Sequence, residues 1–155
     1  MRRSGTISVA MVLAIGLVSA GTASVSYGQE AIVKERLALM KNIGKHFGAI
    51  KKAAGAGNSA AVATNAAAIS KLSKSITGYF PAGTSPDKVR TRAKPEIWSD
   101  WQGFAGAAKN LENLSAKLAQ VAKGGNKGAI MAQFGQTGKR GCGGCHSKFR
   151  GPKLK

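Results

Sequence analysis

An all-α chain folded as an antiparallel four-helix bundle is the architecture this sequence predicts, on three observations. Apolar residues recur at helical spacing in four separate stretches. Short segments rich in Gly, Pro and Asn join those stretches. No stretch alternates apolar and polar residues as a strand would. At 155 residues the chain has room for one domain with its own core.

The N-terminus precedes the bundle and reads differently. Arg2 and Arg3 lead into an apolar run from Val9 to Ala20, followed by small and polar residues up to Gln29. Basic start, short apolar centre and small residues before a cut are the form of a secretory signal peptide. Ser26-Tyr27-Gly28 is the preferred cleavage site, with cuts after Ala20 or Ala23 as alternatives. The run falls short of the roughly 20 residues that span a bilayer. The expected organisation is residues 1–28 as a cleaved signal and 29–155 as the bundle. The mature chain is then expected outside the cytoplasm, in a periplasm or its equivalent, with no stable membrane span.

The first helix is expected from Ala31 to about Ala53, with Val33, Met40, Ile43, Phe47 and Ile50 on one stripe and Leu37 beside it. Gly55, Gly57, Asn58 and Ser59 break it, and Asn58 or Ser59 can cap the second. The second runs to about Thr77 through Val62, Ile69, Leu72 and Ile76, then Tyr79; its alanines favour close packing. Phe80 to Pro86 carries turn chemistry, and a basic loop from Lys88 to Lys94 ends at Pro95. Pro95-Glu96 opens the third helix, which buries Trp98, Trp101, Phe104, Leu111, Leu114, Leu118 and Val121 before Gly124-Gly125-Asn126 stops it. The fourth starts at Lys127, carries Ile130, Phe134, Gly138, Cys145 and Phe149, and ends at Gly151-Pro152.

That fourth helix holds both cysteines, in Cys142-Gly143-Gly144-Cys145-His146. C-x-x-C-H is the attachment signature of c-type haem. Two thiols three positions apart lie on one side of a helical turn, so both can form thioethers with the vinyl groups of one haem. His146 then comes under the iron as proximal ligand. A dithiol redox motif would leave the position after the second cysteine unconstrained, and no βαβ pattern surrounds this one. A structural zinc site needs four ligands, and these residues offer three. In an oxidising compartment the thiols must also stay reduced until haem is attached.

With Arg2 and Arg3 removed, 22 of the 24 basic residues face 6 acidic ones, a formal +16. An exported chain rarely meets nucleic acid, so none is expected as partner. The excess suits steering toward an acidic redox protein or an anionic surface, or is simply a solvated basic face. Lys139 and Arg140 either ring the haem edge or form a solvated turn.

The chain resembles the class II c-type cytochromes, cytochrome c′ and its methionine-ligated relatives such as cytochrome c-556. The resemblance rests on Arg36-Leu37-Ala38-Leu39-Met40-Lys41, His46-Phe47-Gly48, Pro95-Glu96-Ile97-Trp98 and Cys142 to Arg150, and covers about residues 29–151. It implies one covalent haem c near the C-terminus of the bundle. It also implies Arg36 near a haem propionate, Met40 on the distal side of the iron, Arg150 beside the proximal histidine, and a homodimer through the first two helices.

Function then turns on Met40. If its thioether binds the iron opposite His146, the protein is a low-spin single-electron carrier, because histidine–methionine ligation suits outer-sphere transfer. If Met40 only packs, the iron is five-coordinate and high-spin, open to NO or CO. The Leu39-Met40-Lys41 context favours the first reading, with the second as alternative. His46 is six residues from Met40, off its face and expected in solvent. Trp98 and Trp101 are expected as core and loop anchors, and Phe134 and Phe149 near the porphyrin. No His, Asp or Glu falls at an identifiable distal position, so no enzymatic turnover is expected.

Overall fold

The computed structural model describes residues 21–154, with side-chain surroundings from Gly28 onward. The basic start and apolar run of the expected signal peptide lie outside the described residues. Four helical rods form the bundle: α1 (Gly21–Gly55), α2 (Ser59–Ser73), α3 with α4 (Glu96–Ser99, Trp101–Lys123), and α5 with α6 (Lys127–Gln136, Gly144–Phe149). A π-helical segment, Thr137–Gly143, joins α5 to α6, and a 3₁₀ turn, Thr77–Tyr79, follows α2. The described residues contain no strand, only one isolated antiparallel bridge between Ala93 and Arg150. The four-helix bundle read from the sequence is the observed fold.

Local chemistry sets the ends. Asn58 Oδ1 accepts from the Ala61 amide at 2.9 Å and Asn126 Oδ1 from the Ala129 amide at 2.9 Å, so each supplies an acceptor that a helix start lacks. Gly57 (φ 73°) and Gly125 (φ 70°) turn the chain through the left-handed region just before those caps. The third rod is not continuous. Asp100 (φ −123°, ψ 61°) breaks it, and its Oδ1 caps α4 by accepting from the Gly103 amide at 3.0 Å.

The core is filled at helical spacing by Ile43, Ile50, Val62, Ile69, Ile97, Phe104, Leu111, Leu118 and Ile130. Side chains of this size contribute roughly 1.5–3 kcal/mol each on burial. Two expected core positions differ. Leu37 is 60% exposed, because Arg36 and Leu39 occupy the inward positions of that turn. Trp101 is 41% exposed and leans on Phe104, with ring centroids 5.7 Å apart, whereas Trp98 does anchor the loop by donating Nε1–H to the Pro81 carbonyl at 3.1 Å.

Candidate haem site

The C-x-x-C-H motif spans the junction between the π segment and α6. A π-helix carries a wider turn than an α-helix and recurs at functional sites. Here Gly138, Gly141 and Gly143 permit it. A Cβ on Gly138 would lie 2.9 Å from Phe47 Cζ, and one on Gly141 would lie 2.9 Å from Leu111 Cδ1, so α1 and α4 press directly on this backbone. Below it, Thr137 Oγ1 donates to the Gln133 carbonyl at 2.9 Å, and Gln133 Nε2 donates to the Leu114 carbonyl at 3.1 Å. These bonds fix the segment's register against α4. Gly138→Ala is expected to lower stability by about 1–3 kcal/mol, since the Phe47 ring must give way; the urea midpoint measures it.

Cys142 and Cys145 are free thiols, both half-buried and packed against the apolar core. Burial pushes the Cys142 thiol up; burial and then the neighbouring Cys142 push Cys145 up, with Arg150 opposing. Neutral thiols are slow to oxidise, which suits cysteines that must stay reduced until modified. Burial first, then the positive charges of Arg150 and Arg92, hold His146 below the ordinary imidazole range. Its ring is therefore neutral at pH 7, the form that ligates a metal.

From α1, Phe47 reaches the π segment at Gly138, while Ile43 lies in the apolar core and Met40 packs against it. Phe47 stacks on Phe134 of α5, with centroids 4.3 Å apart and planes 21° from parallel. Phe149 is buried edge-on against Phe104 at 5.4 Å. Met40 is half-buried at the margin of this cluster. His46 does not face solvent: its Nδ1 lies 2.8 Å from Asn65 Oδ1, which turns the half-buried ring toward α2. Lys139 and Arg140 are exposed, and the Arg140 carbonyl accepts from Asn110 Nδ2 at 3.0 Å.

Arg36 is the residue whose surroundings the periodicity could not show. It is 4% exposed and lies over the Phe80 ring, with Cζ 4.0 Å from the centroid. It donates to the Tyr79 carbonyl at 3.0 Å, Thr84 Oγ1 at 2.9 Å and Thr91 Oγ1 at 3.2 Å. Burial lowers its pKa to about 10, so it stays charged. Among the described residues no carboxylate pairs with it. A buried cation without an anion is costly, and a ligand bearing carboxylates would relieve it.

These residues fit a haem. They provide two reduced thiols one helical turn apart, a neutral imidazole beside the second, aromatic and aliphatic walls, and a buried guanidinium lacking a counter-ion. Cys142 and Cys145 would hold the vinyl groups, His146 the iron, and Arg36 a propionate.

Comparison with known proteins agrees. A family model described as Cytochrome C′ matches residues 31–150. The chain is similar to the structure of cytochrome c′ from Rubrivivax gelatinosus, with 34% identity, 77% of this chain and 94% of that one covered, and a TM-score of 0.66. It is likewise similar to a cytochrome c′ described as having ligand-controlled dimer dissociation (27%, 80% and 97%, 0.71). A third similar structure is a nitric oxide complex of a cytochrome c prime variant from Alcaligenes xylosoxidans (27%, 80% and 97%, 0.69). Among curated proteins no relative matches by sequence. With three-quarters of its length matched by the family model and its fold shared with these structures, the chain belongs to the cytochrome c′ family, whose cofactor is covalent haem c.

Proposed function

We propose that this chain is an exported, five-coordinate, high-spin monohaem cytochrome that binds NO or CO, and that Met40 packs over the haem without ligating it. Cys142 and Cys145 tether the cofactor, His146 is the proximal ligand, Arg36 holds a propionate and Arg150 flanks the proximal side. When bound, the haem supplies a redox-active iron with one position open to a small neutral molecule.

The carrying observation is the wall on the side of α1. Ile43 lies in the apolar core and Met40 and Phe47 pack against it, while His46, next to Phe47, is engaged with Asn65. Such a wall suits an uncharged gas, whereas peroxide or nitrite chemistry would call for a distal proton donor. The nitric oxide complex of the Alcaligenes relative supports this reading over the histidine–methionine electron carrier that the Leu39-Met40-Lys41 context favoured.

An export signal over residues 1–28 and a periplasmic destination belong to the proposal. Among the described residues no helix is long and apolar enough to cross a membrane. A homodimer through α1 and α2 would cover Leu37, and the basic surface would steer an acidic redox partner that delivers or removes the electron.

The absorption spectrum of the haem-loaded protein, ferric and reduced, with and without CO, is the test. A broad high-spin spectrum with ready CO binding is expected, and Met40→Leu is expected to leave the spin state unchanged. A sharp reduced α-band with indifference to CO, converted to the high-spin pattern by Met40→Leu, would return Met40 to the iron and the protein to electron carriage.

A further inference from the structure

The strap between the 3₁₀ turn and α3 is held at both ends by arginines that flank the site. Arg36 grips it from within, through Thr84 and Thr91. Arg92 grips the chain that leaves α6. Its Nε donates to the Pro152 carbonyl at 2.9 Å and the Gly151 carbonyl at 3.2 Å, and its Nη2 donates to the Gly151 carbonyl at 2.9 Å.

The backbones close the same contact. The Lys94 amide donates to the Phe149 carbonyl at 3.0 Å, and the Gly151 amide to the Arg92 carbonyl at 2.7 Å. Gly151 permits the approach, since a Cβ there would lie 3.3 Å from the Arg92 carbonyl oxygen. Arg150 between them is extended (φ −114°, ψ 124°). Residues 92–94 and 149–152 thus form a hydrogen-bonded clasp, around the Ala93–Arg150 bridge, shortly after His146.

We propose that Arg92 is a positioning residue for the proximal side: it ties the strap to the segment after His146 and fixes a second positive charge at Gly151, next to Arg150. The first such charge is Arg150, four positions beyond His146. Planar bidentate donation to two carbonyls is guanidinium chemistry that an ammonium on a flexible stem cannot reproduce. The nearby carboxylate Asp100 is occupied by Lys148, so it does not cancel these two cations. Fixed positive charge at a haem favours the state with one electron more, and so raises the potential.

This inference rests on His146 being the proximal ligand. Its test uses the haem-loaded full chain, with Arg92→Gln and Arg92→Lys compared by midpoint potential and by amide hydrogen exchange at Lys94 and Gly151. Arg92→Gln is expected to lower the potential and to speed exchange at both amides tenfold or more. Arg92→Lys is expected to keep the potential near that of the unaltered protein while exchange still quickens. Either readout unmoved in Arg92→Gln overturns the proposal. Should that variant not accumulate, Arg92→Lys decides: unchanged exchange overturns the tie, and faster exchange at a retained potential supports it. Failure of the unaltered chain to take up haem at all would instead overturn the reading of the site.

Discussion

With Cys142 and Cys145 both changed to alanine, the chain is expected to carry no haem that survives acidified-solvent extraction, whereas the unaltered chain keeps all of it. A thioether is covalent, so its removal changes retention from complete to none. By contrast, trimming two half-buried thiols costs the fold only about 1 kcal/mol each. The loss can therefore be separated from unfolding by the far-ultraviolet circular dichroism of the same sample. Each single variant is expected to retain haem by one thioether, with a shifted reduced α-band. A dithiol redox pair would show the reverse, a two-electron potential lost on either substitution and no colour at any stage. Haem that resists extraction in the double variant would sink covalent attachment at these positions.

Much of the frame behind that expectation was legible in the residues. Four helical rods and the stops at Gly57–Asn58 and Gly125–Asn126 were readable because caps and left-handed glycines act within a few residues of themselves. What was missed was set at long range or by competing local choices. Trp98, Trp101 and Phe104 read as one stripe, yet Asp100 competes for the Gly103 amide and starts a new helix there, which turns Trp101 outward. The glycines around Cys142 permit a π segment, and the side chains that pack on it, Phe47 and Leu111, come from other helices. Apolar periodicity on α1 is blind to Arg36, a charged residue that is buried because Thr84, Thr91 and the Tyr79 carbonyl await it. His46 looked free for the same reason, since its partner Asn65 lies on another helix. The clasp at Arg92 joins positions 59 and 60 apart, a separation at which periodicity is blind.

Arg36→Met is expected to destabilise the haem-loaded protein by about 3–5 kcal/mol, the usual consequence of removing one partner from a buried ion pair. Methionine nearly matches the stem in length and keeps the contact with Phe80, so packing loss is small and the charge is what the substitution removes. Two groups are then stranded. One is the carboxylate that Arg36 is proposed to pair with; the other is the set of strap oxygens at Tyr79, Thr84 and Thr91. Thr84 Oγ1 retains its bond to the Pro81 carbonyl at 2.8 Å and Thr91 Oγ1 its bond from the Ala93 amide at 3.2 Å, so the strap loses less than the carboxylate does. The larger share of the penalty should therefore appear only when haem is present. Guanidinium denaturation of loaded and haem-free chains, with and without the substitution, isolates that share as a coupling energy. The substitution should also lower the midpoint potential, since a buried cation near the cofactor favours the reduced form. Equal penalties in the loaded and haem-free chains would mean that Arg36 serves the strap alone, and that no propionate reaches it.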